Sequence, residues 1–296
     1  MIPLAIVGLL SGALVEKAGV LSFEAQGAVI VPPELVTIAP RAFEYREATE
    51  YFRNGFAIDA PKRLEAVMVP LDITKYQVSQ AEYGRCVSEA ACIPSEAAAS
   101  LPDDNAPVTG VSYDDAVRYA TWLSHRTGEE WTLPTDFELA YAAADRFPDD
   151  ALGIDPSDRN PAKRWLADYE REARRSASID PRPQPRGSFG VSQTGLVDFA
   201  GNIWEWTSTC SSRIDLDRAK AVEDLNPLTC GIMIASGRHR SPMSSFVRNP
   251  RGGGCSVGTP PDNLGFRLVR RPSLLEGIAN SARRATARLL ALVIET

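Results

Sequence analysis

GLVDFAGNIWEWTSTC, residues 195–210, packs two tryptophans, an aspartate, a glutamate, an asparagine and two glycines into sixteen positions. It is too polar for a buried strand and too aromatic for an ordinary loop. Two readings stand at this level. If Asp198 and Glu205 face inward with the backbone carbonyls of Gly201 and Ile203, they offer hard oxygens suited to Ca²⁺, while Trp204 and Trp206 anchor the loop in the core. Alternatively the stretch is a tight turn whose aspartate and asparagine cap their own backbone. Spacing alone leaves both open.

Upstream, residues 107–144 carry the clearest secondary structure. Ser112 caps a helix with Asp114 and Asp115 in its first turn, where acids suit the positive end of the macrodipole. Ala116, Tyr119, Ala120 and Leu123 form its apolar stripe, and Gly128 stops it. Residues 131–133 read as a short strand broken by Pro134, and Thr135 with Glu138 opens a second capped helix reaching Ala144. Further upstream, Val67, Val69, Leu71 and Ile73 alternate as a strand, and Ser79 with Glu82 has capping-box spacing. Residues 36–60 read as strands. Residues 145–188, rich in Pro, Arg and Asp, read as a long excursion with a solvated charged face.

Composition bounds the class. A chain of 296 residues, 44% apolar and 24% charged, is globular with a large core in one or two domains. Its 32 basic and 38 acidic residues give a net charge of −6, and no basic cluster is interleaved with aromatics, which argues against a nucleic-acid partner. Twenty-two prolines and 21 glycines suit an irregular α+β domain better than a βαβ repeat. Of five cysteines, Cys86 and Cys92 frame a short segment and Cys210 and Cys230 a longer one. The economical reading is two local disulfides and one leftover thiol, Cys255, in an oxidising compartment; five reduced thiols is the rival.

The ends read separately from the domain. Residues 1–35 begin with an apolar run, residues 2–15, about the size of a signal-peptide core though lacking a basic flank. Export signal, anchor, or strand and helix of the fold are the readings it supports. Residues 272–296 read as a basic amphipathic helix, with Leu275, Ile278, Ala282, Ala285, Leu289 and Leu292 near one face and Arg283, Arg284 and Arg288 on others. Such a helix packs on the domain or a partner, or makes peripheral contact with a membrane.

Four blocks in order now carry a resemblance: ITKYQVSQAEYGRCV at 73–87, the 107–144 segment, GLVDFAGNIWEWTS at 195–208 and NLGFRLVRR at 263–271. Together they make residues 36–271 resemble the formylglycine-generating enzyme, or sulfatase-modifying-factor, family. The resemblance implies a single α+β domain with little regular secondary structure, a variant of the C-type-lectin-like fold. It also implies a structural Ca²⁺ held by the side chains of Asp198 and Glu205 and the carbonyls of Gly201 and Ile203.

The family's chemistry carries over less well. Active members oxidise a substrate cysteine with O₂ on a copper ion held by two cysteines. Aligning residues 236–248, SGRHRSPMSSFVR, on that stretch puts Pro242 and Val247 at the cysteine positions. Soft Cu(I) needs the thiolate pair, so copper is not expected. Cys255, after Gly252, Gly253 and Gly254, is a single thiol and a weak catalytic candidate. A non-haem iron route needs a histidine cluster, and the chain has only His125 and His239. His125 sits at a helix C-terminus where a cation is at home. His239, between Arg238 and Arg240, is the other weak catalytic candidate, as acid/base or ligand. Trp204, His239, Phe246, Arg248 and Asn263 match positions lining the family's substrate cleft. The expectation is a noncanonical member, exported or periplasmic with a cytoplasmic place as the rival, that serves as a maturation or accessory factor for a protein or peptide-like partner. A calcium-stabilised binding module without catalysis and a formylglycine oxidase with an altered site are the alternatives.

Overall fold

The computed structural model describes residues 30–97, 103–155, 158–170 except 159, 161, 164 and 168, then 182–217, 230–250 and 263–273. The chain divides into two units, Met1–Pro32 and Pro33–Thr296, and every element below belongs to the second. The apolar N-terminal run, Cys255 and the amphipathic segment after Ser273 lie outside the described residues. Among the described residues no helix is long and apolar enough to cross a membrane.

The architecture is α+β with short elements. Strands β1 (Leu35–Ile38) and β6 (Leu71–Thr74) pair antiparallel, and β13 (Val269–Arg270) continues the sheet from β6 to β7 (Trp131–Thr132). A second sheet has the order β11 (Arg240–Ser244), β10 (Ile232–Ser236), β8 (Trp204–Cys210), β12 (Leu264–Gly265). Strand β2 (Arg41–Arg46) pairs with β5 (Lys62–Val67), and β3 (Glu50–Arg53) lies between β4 (Phe56–Ile58) and β9 (Arg213–Asp215). The alternation expected through Ile73 is interrupted: β5 ends at Val67 and β6 starts at Leu71. Pro70 between them has no N–H to give a ladder.

Three helices among the described residues follow their sequence signals closely. Helix α1 (Gln80–Ser88) has the Ser79/Glu82 capping box, with Glu82 N–H donating to Ser79 Oγ at 3.2 Å and Ser79 N–H to the Glu82 carboxylate at 2.8 Å. Helix α2 (Tyr113–Thr127) is boxed by Ser112 and Asp115, and it ends on Gly128 at φ +72°, where a side chain would be strained. Helix α3 (Asp136–Ala143) is boxed by Thr135 and Glu138. Its residues Leu139 to Ala143 are all buried, so it is a core helix, and it packs with Ile38, Ile73, Leu196, Phe199 and Val269.

Both expected disulfides form: Cys86 to Cys92 and Cys210 to Cys230. The first closes the turn that ends α1, where Cys92 N–H and Ala91 N–H both donate to the Cys86 carbonyl. The second joins the end of β8 to the approach to β10, so it fixes where the second sheet resumes.

Aromatic packing ties the α1–α2 pair to the C-terminal motif. Tyr83 and Tyr119 stack at 5.7 Å, and Phe266 meets the Tyr119 ring edge-on at 5.4 Å. Burial and the Asp115 carboxylate push the Tyr83 hydroxyl up to about 12, and burial holds Tyr119 well above the ordinary tyrosine range. Raised folded pKa values give stability that is full below the unfolded value of about 10 and is lost as pH climbs through about 12. Unfolding free energy from urea titrations is therefore expected to hold to about pH 9.5 and then fall. Tyr83→Phe and Tyr119→Phe together should make that alkaline fall shallower; an unchanged profile would show that these hydroxyls do not drive it.

Candidate functional site

The loop before β8 is built around Asp198. Its backbone has φ +62°, and Asp198 N–H donates to the Gly190 carbonyl at 2.9 Å. The buried carboxylate accepts Phe189 N–H on Oδ1 at 2.7 Å and Gly187 N–H on Oδ2 at 2.6 Å. Asn202 clamps Gln184 in the same way, accepting its N–H at 2.9 Å and donating to its carbonyl at 2.8 Å. The side chains thus fasten a neighbouring strip of backbone rather than their own turn. Gly201 has to be glycine because a Cβ there would stand 2.5 Å from Cβ of Phe189.

Four residues on, Glu205 is fully enclosed and faces Arg267, also 0% exposed. Arg267 Nε donates to Oε2 at 2.5 Å and Nη2 to Oε1 at 2.8 Å, while Gln77 Nε2 donates to Oε1 at 2.7 Å. The remaining guanidinium hydrogens go to the carbonyls of Thr74, Lys75 and Val197, at 3.2, 3.2 and 3.0 Å. All five donors of the arginine are used, which is what a buried guanidinium requires.

The four residues expected to hold calcium fit such an ion in donor type. Each Asp198 oxygen accepts a single N–H, and Oε2 of Glu205 accepts one bond, so lone pairs remain on hard oxygens. Among the described residues no cation pairs with Asp198, whereas Glu205 is already balanced by Arg267. No group of three or more His, Cys, Asp or Glu side chains gathers among the described residues, so any cation here relies on carbonyls as well as the two carboxylates.

Of the five expected cleft residues, Trp204 and His239 meet, and Asn263 sits one residue before the strand that pairs with Trp204. Trp204 on β8 pairs in register with Leu264, the neighbour of Asn263. Its indole Nε1 donates to the His239 carbonyl at 3.2 Å, and the imidazole meets the indole edge-on at 5.4 Å. The Arg238 guanidinium lies 5.2 Å from the same ring. The β10–β11 turn can settle on Trp204 because Gly237 has no Cβ, which would come within 2.8 Å of the indole. Trp204 and His239 are themselves buried, so the indole serves as the bed of the turn.

Phe246 and Arg248 belong to a different neighbourhood. Phe246 is 74% exposed. Arg248 is drawn to α2, where Nε meets the Asp115 carboxylate at 2.8 Å and Nη2 at 2.9 Å. On the other side of β11, Arg240 Nε lies 3.0 Å from Asp136 at the start of α3. Asp136 also accepts Ser236 Oγ–H and Tyr45 Oη–H, each at 2.7 Å, and burial with that carboxylate holds the Tyr45 hydroxyl far above its ordinary range. Pro242 sits in β11 opposite Ile234, and Val247 is buried in the turn after β11. Sequence reading took Asp115 only as a first-turn acid and missed its pairing with Arg248, and it missed Arg267 and Asp136. The available signal for Arg267 was an arginine between Phe266 and Leu268 in an otherwise apolar run.

Residues 23–272 match the family described as the sulfatase-modifying factor enzyme 1-like domain. A formylglycine-generating enzyme of Mycobacterium tuberculosis is 34% identical over 184 residues, covering 56% of this chain and 58% of that protein. One from Streptomyces coelicolor is 29% identical over 182 residues, covering 59% and 56%. The chain thus spans little more than half the length of these relatives. Among solved structures, PvdO from Pseudomonas aeruginosa superimposes with a TM-score of 0.49 at 19% identity, over 81% of this chain and 95% of that one.

Removing one partner of the buried pair leaves an uncompensated charge, so Arg267→Met is expected to cost about 3–5 kcal/mol in urea unfolding. Arg267→Met combined with Glu205→Leu should recover part of that loss; a single-variant cost below about 1 kcal/mol would show the pair is not a keystone.

Proposed function

The chain belongs to the sulfatase-modifying factor enzyme 1-like family, and from that premise we propose that it is a noncanonical maturation or accessory factor. It engages a protein or peptide-like partner without thiolate-copper chemistry. One observation carries this reading. The stretch aligned with the family's copper ligands is well formed here, fastened by Arg240 to Asp136 and by Arg248 to Asp115, yet it presents Pro242 and Val247. Neither side chain has an atom that can ligate a metal. Any residual oxidoreductase chemistry therefore has to use other groups.

In this proposal the partner is received near Trp204, His239 and Asn263, with Phe246 exposed in the turn after β11 and Arg248 at the α2 side. The two disulfides support export to an oxidising compartment such as a periplasm. Calcium belongs to the same proposal, held by Asp198, Glu205 and the carbonyls of Gly201 and Ile203, where it would rigidify the loop beneath Trp204. The second reading, a calcium-stabilised binding module without catalysis, is favoured by the buried Asp198, whose charge has no cation opposite it among the described residues.

The test has two arms on the purified chain. Incubation with a cysteine-containing sulfatase-type peptide, with and without copper under O₂, is expected to leave the peptide mass unchanged; conversion of its cysteine to formylglycine would overturn the noncanonical reading. In parallel, a calcium chelator is expected to lower Tm and added Ca²⁺ to restore it. No shift would mean that Arg267 alone neutralises the loop and that calcium drops out of the account.

A further inference from the structure

Strand β5 is a sheet edge. Among the described residues it pairs with β2 alone, in one unbroken register from Arg41 opposite Val67 to Arg46 opposite Lys62, with no bulge to twist the edge away. The ribbon is held from beneath by α3. Phe43 and Tyr45 meet the Phe137 ring edge-on at 5.2 and 5.1 Å, and the Arg41 guanidinium lies 4.3 Å from the Tyr141 ring. The edge is thus positioned before any partner arrives, which lowers the cost of association.

Its protection is weak. Charged side chains on an edge strand ordinarily repel an incoming strand. Here Lys62 is drawn onto Glu44 at 3.1 Å and Asp149 at 3.6 Å, and Arg63 onto Glu47 at 3.0 Å. On the solvent face Leu64, 74% exposed, is followed at alternate positions by exposed Ala66 and Met68. Exposed Ala42 of β2 lies opposite Ala66 and widens the stripe. An apolar stripe along a sheet edge suits a docking strand.

Parity and charge identify the strand that fits. A second copy continues the sheet with both buried faces on one side only if residues of like face stand opposite, which puts a two-fold axis through a residue of β5. An axis on Arg63 or Ala66 shortens the overlap within Lys62–Val67, and one on Glu65 sets two glutamates against each other. An axis on Leu64 sets Arg63 of each copy opposite Glu65 of the other and Leu64 against Leu64. Arg63 meets Glu47 through Nη1, and a guanidinium has donors enough for a second carboxylate. This register closes the ladder whichever alternate set of backbone groups faces outward.

We propose that two copies of the chain join edge to edge through β5, antiparallel about Leu64, in a continuous sheet of order β2, β5, β5, β2 with two Arg63–Glu65 pairs across the axis. Trp204, His239 and Asn263 take no part in it. The contact is short, so the dimer is weak and reversible.

Sedimentation velocity of the full chain from about 1 to about 300 µM is expected to show the mass rising from one chain toward two. Arg63→Glu and Glu65→Arg each set like charges opposite across the axis, so either variant alone should dimerise about tenfold more weakly. Mixed in equal amounts, the two variants are complementary at both pairs and should associate as well as the unaltered chain, which also shows that each is folded. A chain monomeric throughout, as it would be if a different protein took the edge, overturns the proposal. So does a dimer that the two substitutions leave unchanged, or a pair of variants that does not associate on mixing.

Discussion

The guanidinium of Arg267 is the constraint around which the domain closes. It is fully buried, spends all five N–H groups, and touches β8 through Glu205, the end of β6 through Thr74 and Lys75, and the 195–203 loop through Val197. The end of β6 and Arg267 itself are far in sequence from the loop and the β8 strand that follows it, and local structure alone would not hold these parts in register. A buried arginine is costly unless every donor is met, so the geometry of all three segments is specified together. Leu268 N–H donating to Thr74 Oγ1 and Val78 N–H donating to the Phe266 carbonyl extend the same seam along the backbone.

A second device repeats twice. Asp115 and Asp136 both lie in the first turn of a helix, where the positive end of the macrodipole favours an acid, and both are buried. Each is then used again by a distant arginine, Arg248 on Asp115 and Arg240 on Asp136. Strand β11 and the turn after it are pinned between two helix starts by these arginines. Here the framework persists around Pro242 and Val247, which separates the problem of holding the segment from the problem of doing chemistry on it.

How much of this was legible in the sequence follows from how local each feature is. The three capping boxes depend on residues three apart and were readable, as were the disulfides framed by short spacings. The order of four sequence blocks carried the α+β fold. The break at Pro70 was visible but outweighed by the alternation around it. The Arg267–Glu205 pair spans 62 positions and Arg240–Asp136 spans 104, and no spacing rule links such residues before the chain is folded. The candidate cleft was half legible for the same reason: Trp204 and His239 meet through sheet register, whereas Arg248 is drawn away by an acid that reads in sequence only as a helix cap.

Native-state hydrogen exchange at the amides bordering Arg267 tests the central claim most directly. Thr74, Val78 and Val197 N–H groups donate to the carbonyls of Leu268, Phe266 and Lys75. If the arginine closes the domain, these three should exchange only through global unfolding, with the same opening free energy as the slowest amides of α2 and the same dependence on denaturant. Exchange of the three through a local opening, while α2 stays protected, would contradict it.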